Sequence, residues 1–452
     1  MTRSASLLLL SVVVAACGAA AKPPPAAKPL PLDTFVADKT GYHYEKAWSQ
    51  PGGGMTTSVL EVTSQSWRKP SEVDKTVWTH DVGIAVPDGN TSDTALVVLA
   101  GGGGDLANPP QPGDSGVSLV QNFALLAGTT AIAIDGIPDE PLTIAGQGGP
   151  RSEDNLVAAT WDRVLATQDP TWSAYFPMTR AAIRCLDAAQ DFLKKQGTPV
   201  KHFVVTGYSK RGAITYLVAA EDKRVIAMAP GVFDFLNFRA QAQHLAAVYA
   251  TPPPAVTPYV KYDLIRRIMT PQADPLVENS DPYVYRARFT MPKLILASTG
   301  DQFFVPDAAR YYLAQLPGET LVRYLPNTDH TLTAPDGSDT ETVNTVIAWY
   351  HTVIDGRARP RLTWTHTGDI LTLHIDQTPS AVRLWSATNP DARDFRRESF
   401  GPNWTSQPLA AEHSGVYVAN VPPPAKGFTA FFIDAKVADQ TYSTQIYVTP
   451  DK

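Results

Sequence analysis

The stretch KHFVVTGYSKRGAITYL, residues 201–217, joins an apolar run, a glycine, a serine and the beginning of a helical pattern. This pattern predicts a strand that turns sharply into a helix, with Gly207 keeping the turn free of side-chain collisions. Ser209 would then expose its hydroxyl beside the first N–H groups of the helix. The usual second glycine is displaced, because Arg211 stands two residues after the serine. An ordinary serine that caps the helix is the alternative interpretation.

Short apolar, β-branched segments alternate with helical segments between residues 59 and 352. This alternation is typical of a mostly parallel sheet covered by helices. Eight candidate strands, the first two joined as a hairpin, predict an α/β-hydrolase core over residues 36–356. Two long segments interrupt the alternation: residues 136–172, rich in proline, glycine and acids, and residues 233–288, which we expect to form a helical cap insertion over the active site. We expect both to wall the substrate pocket.

Two further residues follow strands at positions where a serine nucleophile needs partners. Asp301 follows the apolar run PKLILASTG, and His330 comes directly after the eighth candidate strand. The α/β-hydrolase plan requires the chain order nucleophile, acid, base, and the other histidines lie at less suitable places. We therefore expect Ser209 as nucleophile, Asp301 as orienting carboxylate and His330 as general base. As an alternative, Asp301 merely closes a turn.

A run of four glycines follows the third candidate strand. Gly102 or Gly103, together with the backbone N–H of Lys210, is expected to form the oxyanion hole. A phosphate-binding loop is disfavoured because no Gly-Lys-Ser or Gly-Lys-Thr follows, and a merely flexible loop is the other alternative. The side chains of Lys210 and Arg211 are expected to be charges on a helix face.

Three acidic residues are candidates for substrate binding. Glu153 and Asp154 could be solvated charges or an acidic site for a substrate cation, such as a free amino terminus. Asp234, after the sixth candidate strand, could line the pocket or cap the next helix. The sequence has neither a His-Glu-x-x-His motif nor paired cysteines, so we expect no metal site and no diffusible cofactor.

The composition and the N-terminus bear on partners and location. A net charge of -6 without a long basic run argues against nucleic acid as the main partner and favours a small-molecule or peptide substrate. Residues 1–17 predict a lipoprotein-type signal peptide, and residues 18–35 a Pro/Ala-rich tether. Acylation of Cys17 would anchor an exported protein to a membrane of the cell envelope. An ordinary signal peptide cut near Ala20, giving a secreted protein, is the alternative.

The last part of the chain has a different pattern. Residues 357–452 contain about seven short candidate strands, FRRESF among them, and no candidate helix. They predict an all-β sandwich like those of immunoglobulin or fibronectin domains. Elsewhere, Cys185 lies in a segment with helical spacing and is expected to be a buried packing thiol.

The stretches TGYSKRGAITYLVAAEDKRVIAMAPGVFDFLN, PMTRAAIRCLDAAQ and DGIPDEPL resemble the PhoPQ-activated pathogenicity-related protein family, the PqaA-like proteins. The resemblance runs from about residue 42 to residue 352. It implies an α/β-hydrolase fold with Ser209, Asp301 and His330 as the triad, and it supplies no substrate.

Three functions remain open from the sequence. An exported peptidase, aminopeptidase-like, is favoured by the predicted cell-surface location, the capped pocket and the acids Glu153 and Asp154. A carboxylic ester hydrolase rests on the triad and the glycine run alone. A surface binding protein that kept the fold and lost the reaction is the third hypothesis.

Overall fold

The computed structural model describes residues 29–104 and 106–451. The predicted signal peptide, Cys17 and most of the predicted tether lie outside the described residues. The tether prediction extended to residue 35, but a helix already begins at Pro31, because Leu32 and Val36 pack into the core. Among the described residues, no helix combines the length and apolar character that a membrane span needs.

A nine-stranded mixed sheet forms the centre of the fold. Its strands are β1 (His43–Gly52), β2 (Met55–Ser66), β3 (Val77–Pro87), β4 (Thr94–Leu99), β5 (Ala131–Ile134), β6 (His202–Tyr208), β7 (Val225–Gly231), β8 (Lys293–Ser298) and β9 (Thr320–Leu325). The spatial order is β1-β2-β3-β5-β4-β6-β7-β8-β9. The first three strands and the β3–β5 pair are antiparallel, and the strands from β5 to β9 run parallel. Without β1, this is the strand order of the α/β-hydrolase fold.

The eight strands predicted from the sequence correspond to β2–β9, and β1 was not predicted. This strand, HYEKAWSQPG, is exposed or half-buried along its whole length, so it carries no apolar alternation. It pairs with β2 at the outer edge of the sheet through backbone hydrogen bonds, which side-chain patterns do not report.

Helices cover both faces of the sheet. They are α1 (Pro31–Ala37), α2 (Ser115–Ala127), α3 (Glu153–Thr167), α4 (Tyr175–Lys195), α5 (Lys210–Glu221), α6 (Phe238–Val248), α7 (Thr257–Val260), α8 (Leu264–Arg267), α9 (Asp274–Ser280), α10 (Thr340–Ile354) and α11 (Arg397–Phe400). The buried residues of α4 and α5 belong to one apolar cluster, and those of α2 and α10 to another. Cys185 on α4 is fully buried, as predicted.

The two segments that interrupt the alternation differ in structure. Residues 136–172 contain α3, a 15-residue helix whose Trp161 and Leu165 are buried, so this segment is not simply a loop. Between β7 and β8, helices α6 to α9 are joined by short 3-10 turns, and this is the expected helical insertion.

The C-terminal region consists of two antiparallel sheets. Its strands are β10 (Leu362–Thr367), β11 (Ile370–Ile375), β12 (Ala381–Asn389), β13 (Thr405–Pro408), β14 (Ala411–His413), β15 (Val416–Asn420), β16 (Phe428–Val437), β17 (Gln440–Ser443) and β18 (Tyr447–Thr449). One sheet has the order β10-β11-β15-β14 and the other β13-β12-β16-β17, with β18 beside β16. Leu371, Leu373 and Ile433 belong to one apolar cluster that joins the two sheets.

The prediction of a strand at FRRESF was wrong. Arg397–Phe400 is a helical turn, and Phe395 is buried with its ring 6.2 Å from that of Trp404. The segment pairs with none of the described strands, and the backbone N–H of Arg397 instead donates to the Gly300 carbonyl of the α/β domain.

Candidate active site

Ser209 lies on the sharp turn that the sequence predicts between β6 and α5. Its backbone is held at φ 58° and ψ -128°, a strained conformation for a residue with a side chain. The Ser209 N–H donates to the Gly231 carbonyl at 2.9 Å. A Cβ atom on Gly207 would come within 2.8 Å of the Arg211 carbonyl, and one on Gly212 within 2.6 Å of the Gly231 carbonyl. Both glycines are therefore required for this turn. Gly212, one position later than the usual second glycine, allows α5 to pack closely against β7.

The three residues predicted as a triad are brought together. The Ser209 hydroxyl lies 2.8 Å from His330 Nε2. His330 Nδ1 lies 2.9 Å from Asp301 Oδ2 and 3.0 Å from Oδ1, so it is placed to donate to the carboxylate. With the proton on Nδ1, Nε2 is free to accept the serine proton. The side chains of His330 and Asp301 are 13% and 6% exposed, so this hydrogen-bonded chain is largely shielded from water.

Neighbouring groups hold the acid and the base in place. Asp301 Oδ1 also accepts the backbone N–H of Phe303 at 2.7 Å, and Gln302 Oε1 accepts the His330 N–H at 2.7 Å. The Phe303 ring centroid is 4.3 Å from that of His330, and the Phe304 ring centroid 5.7 Å. These contacts leave the imidazole little freedom to turn away from Ser209.

Three of the four glycines in the run lie close to neighbouring atoms, whereas a Cβ atom on Gly102 would meet none within 4 Å. The Gly136 N–H donates to the Gly101 carbonyl at 3.1 Å, and a Cβ atom on Gly103 would lie 2.6 Å from the Glu140 carbonyl. Gly102 has φ 91°, which favours glycine. The alternative of a merely flexible loop therefore does not describe these residues.

The first residue of α5 contributes a second kind of donor. The backbone N–H of Lys210 lies in the first helical turn, where N–H groups have no acceptor within the helix. It directly follows the candidate nucleophile in the chain. The expectation that it forms an oxyanion hole with Gly102 or Gly103 stays a prediction.

The side chains of Lys210 and Arg211 are not the helix-face charges that the sequence suggested. Lys210 is 5% exposed and contacts the Glu153 carboxylate, while its Nζ lies 3.5 Å from Asp154. Arg211 donates from Nη2 to Glu153 Oε1 at 2.6 Å and from Nε to the Ile137 carbonyl at 2.6 Å. These partners lie more than fifty residues away in the sequence, so a local pattern could not reveal them.

The contacts of Glu153 make it part of the support behind Ser209. Burial raises its pKa, but the hydrogen bond from Arg211 and the charge of Lys210 outweigh burial and lower the pKa to about 2. Its backbone N–H donates to Glu140 at 2.6 Å, and burial raises the pKa of Glu140 to about 7. Glu140 could not be predicted as a site residue, because nothing in the sequence DGIPDEPL distinguishes it from the two aspartates.

The other two acidic candidates occupy different places. Asp154 lines the cavity beside Ser209 and accepts the Tyr259 hydroxyl at 2.8 Å. Asp234 is not among the described residues that line this cavity. Its side chain is buried and accepts a hydrogen bond from the Tyr312 hydroxyl. Burial raises the pKa of Asp234 to about 7. A small separate cavity is lined by both Asp234 and Asp301.

A cavity opens beside the candidate nucleophile and contains about 640 Å³ of space, its mouth included. Both segments that interrupt the sheet contribute to its wall. The lining residues are Asp154, Trp161, Tyr175, Ser209, Lys210, Phe233, Phe235, Ala242, Leu245, Val256, Tyr259, Leu264, Ile265, Ile268, Phe303 and Phe304.

The apolar lining residues were not predicted individually, because in the sequence they look like ordinary core residues. Their aromatic members come from distant parts of the chain. Over residues 29–104 and 106–451, no group of three or more His, Cys, Asp or Glu side chains is placed to hold a metal ion.

Comparison with known proteins gives relatives in sequence and in fold. Residues 32–396 match the family model described as PhoPQ-activated pathogenicity-related protein. The chain is 32% identical over 403 residues to autocrine proliferation repressor protein A of Dictyostelium discoideum, covering 84% of this chain and 80% of that protein.

Two solved structures of similar fold are acetyl xylan esterases. The enzyme from Paenibacillus sp. R4 is 16% identical with a TM-score of 0.47, over 70% of this chain and 92% of that one. Acetyl xylan esterase 1 from Thermoanaerobacterium sp. is 14% identical with a TM-score of 0.48, over 71% and 92% of the two chains.

Proposed function

This chain belongs to the PhoPQ-activated pathogenicity-related protein family, and we propose that it is a serine hydrolase that cleaves carboxylic esters. The observation that carries the proposal is the hydrogen-bonded chain from Ser209 through His330 to Asp301. A serine on a strained turn, within 2.8 Å of an imidazole that a buried carboxylate orients, has the parts needed for nucleophilic catalysis.

The proposed reaction proceeds in two steps, acylation of Ser209 and hydrolysis of the acyl-enzyme. Ser209 Oγ attacks the ester carbonyl carbon while His330 Nε2 takes the hydroxyl proton. The C–O bond to the alcohol then breaks, and His330 returns the proton to the departing alcohol, which leaves an acyl group on Ser209. A water molecule attacks this acyl-enzyme, with His330 again taking a proton and returning it to Ser209, and the carboxylic acid leaves.

Asp301 accepts the hydrogen bond from His330 Nδ1 and stabilises the imidazolium that forms at His330. The oxyanion of the tetrahedral intermediate is expected to accept hydrogen bonds from the backbone N–H of Lys210 and from that of Gly102 or Gly103. One donor of this kind contributes about 3 kcal/mol of transition-state stabilisation. The pairing of Lys210 with Glu153 supports this assignment, because it fixes the first turn of α5 beside the serine.

A peptidase that recognises a free amino terminus is the second candidate. The observation that favours it is Asp154, a carboxylate that lines the cavity next to Ser209. Glu153 does not favour it, because its carboxylate is already bound by Lys210 and Arg211. A non-catalytic binding protein is the third candidate, and it predicts no turnover at all.

The location and the C-terminal fold are further parts of the proposal. We propose that Cys17 is acylated and anchors the exported protein to the cell envelope, with a secreted form as the alternative. For residues 357–452 we propose an immunoglobulin- or fibronectin-like sandwich, supported by two antiparallel sheets with a shared apolar cluster.

The deciding experiment compares two substrates and two variants. The purified protein is assayed with 4-nitrophenyl acetate and with alanine 4-nitroanilide. We expect ester hydrolysis that Ser209→Ala reduces on the order of 10⁶-fold. Ser406→Ala, an exposed serine on β13, is the matched control and should leave the rate unchanged. Faster cleavage of the anilide would favour the peptidase, and no turnover of either substrate together with no fluorophosphonate labelling would overturn the proposal.

A further inference from the structure

The cavity beside Ser209 has an apolar wall and a neutralised polar corner. Its charged lining residues are Asp154 and Lys210, whose Oδ2 and Nζ atoms lie 3.5 Å apart, and Lys210 also contacts Glu153. A bound group in the rest of the cavity would meet mainly aromatic and aliphatic side chains. Burial of an apolar group against such a surface is favourable, whereas a polar group would find few hydrogen-bond partners there.

The aromatic part of the wall is preassembled. The Trp161 ring centroid lies 5.6 Å from that of Tyr259, and the Tyr175 centroid lies 6.4 Å from that of Phe233. Phe233 in turn packs edge-on against Phe304, at 6.0 Å. Rings that support one another in this way keep the cavity open without a ligand, so binding costs little ordering of side chains.

The position of the imidazole shows which half of an ester can enter the cavity. Among the described residues, Phe303 and Phe304 line the cavity and pack against the His330 ring, whereas His330 itself does not line it. The departing alcohol must reach His330 Nε2 to receive its proton. The acyl group instead stays on Ser209, which does line the cavity. Placing the acyl group in the cavity is the arrangement that keeps the departing alcohol on the side of His330 Nε2.

We propose that this cavity is the acyl site and that the substrates are esters of bulky apolar acids, with a medium-length aliphatic or an arylalkyl chain. The inference rests on the proposed function and names the substrate class of the same site. A methylene that fills an apolar pocket changes kcat/KM by about 10-fold or more. The enzyme should therefore discriminate strongly against acetyl esters.

The first test holds the leaving group constant and varies the acid. Acetyl, butanoyl, octanoyl and 3-phenylpropanoyl esters of 4-nitrophenol are compared by kcat/KM, each corrected for its rate of hydrolysis in alkaline buffer. We expect octanoyl or 3-phenylpropanoyl to exceed acetyl at least about 100-fold. A series that is flat, or that falls from acetyl onward, overturns the inference while ester hydrolysis itself upholds the proposed function.

The second test fills part of the cavity with a larger side chain on α6. Ala242 on α6 lines the cavity and is 1% exposed, whereas Ala246 on the same helix is exposed. Ala242→Phe should lower kcat/KM for the octanoyl ester at least about 10-fold more than it lowers kcat/KM for the acetyl ester. Ala246→Phe, the matched control, should change neither.

A variant that enlarges the cavity protects the test against misfolding of Ala242→Phe. Ile268 lines the cavity and is 2% exposed, so Ile268→Ala should move the preferred chain length upward, from octanoyl towards dodecanoyl. An unchanged chain-length optimum, or an equal loss for every ester, would show that the acyl group binds elsewhere. Absence of both ester turnover and fluorophosphonate labelling in the unmodified protein would overturn the proposed function and this inference together.

Discussion

The backbone N–H of Arg397 donates to the carbonyl oxygen of Gly300 at 3.0 Å, one residue before the proposed triad acid. Arg397 Nη1 also donates to Asp329 Oδ2 at 3.1 Å and to the Thr333 carbonyl at 2.9 Å, on the loop that carries His330. One residue of the C-terminal region thus holds the acid loop and the base loop together.

The role of Arg397 as a positioning residue can be tested by Arg397→Ala. Loss of its side-chain contacts should allow the base loop to shift, and a displacement of about 1 Å can cost on the order of 100-fold in rate. We expect kcat for a nitrophenyl ester to fall between about 10- and 100-fold with little change in KM. Arg397→Lys should recover part of the rate.

Lys426→Ala is the control for this variant. Lys426 forms an exposed ion pair with Asp391 in the same region, and its removal should leave kcat unchanged. If Arg397→Ala turned over substrate at the wild-type rate, the C-terminal region would not position the triad.

The support behind Ser209 yields a prediction that separates Glu153 from Asp154. Glu153→Gln leaves Lys210 and Arg211 short of a partner beside the nucleophile, so it should lower turnover of neutral esters and aminoacyl substrates alike, by about 10-fold. Asp154→Asn removes the charge that lies 3.5 Å from Lys210 Nζ but leaves Glu153 in place as the partner of Lys210 and Arg211, and its amide oxygen can still accept the Tyr259 hydroxyl. It should spare 4-nitrophenyl acetate.

The same pair of variants tests the peptidase alternative. If Asp154→Asn selectively abolished cleavage of aminoacyl substrates, a carboxylate that binds an amino terminus would be established. If Glu153→Gln affected aminoacyl substrates alone, the supporting role assigned to Glu153 would be wrong.

Asp234 predicts a pH dependence of stability. Burial raises its pKa from 3.8 to about 7, so the folded state keeps a proton that the unfolded state loses near pH 4. The protonated Asp234 side chain therefore contributes its full stabilisation below about pH 4. This stabilisation is lost as the pH rises to about 7, by at most about 1.4 kcal/mol per pH unit. Asp234→Asn should lack this loss.

The measurement is the melting temperature of wild type and Asp234→Asn from pH 4 to pH 8. The difference, variant minus wild type, should become more positive up to about pH 7 and then level off. Asp391→Asn, an exposed carboxylate, should show no such trend. A difference that stays constant over this range would contradict the raised pKa.

The proposed anchor is tested by Cys17→Ser. Acylation adds about 0.8 kcal/mol of membrane affinity for each buried methylene, so its loss should move the exported protein from the membrane fraction to the soluble fraction. Membrane retention of the variant, measured by fractionation and immunoblotting, would argue against acylation.

The sequence was informative where one local pattern determines the geometry. The sharp turn at Ser209 needs a strand, the closely packed glycines Gly207 and Gly212, and the start of a helix, and all of these lie close together in the chain. Asp301 and His330 could be predicted to lie near Ser209 because parallel strands bring their carboxyl ends to the same edge of the sheet.

Contacts between distant segments could not be predicted in this way. The pairing of Lys210 with Glu153 and the docking of Arg397 on Gly300 depend on how separate segments pack, and charged residues in a sequence carry no mark of burial. Trp161 and Phe233 look like core residues in any α/β protein, so their place around the cavity was hidden. The edge strand β1 was missed because its side chains face solvent.

The central claim is that Ser209 is a nucleophile activated by His330, and covalent labelling tests it most directly. A fluorophosphonate should react with Ser209 Oγ, lose fluoride and leave one phosphonyl group, which intact mass measurement and peptide mapping locate. We predict a single adduct on the peptide that contains Ser209, none in Ser209→Ala, and slow labelling in His330→Ala. Equal labelling of Ser209→Ala, or an unlabelled wild-type protein of native fold, would contradict the account.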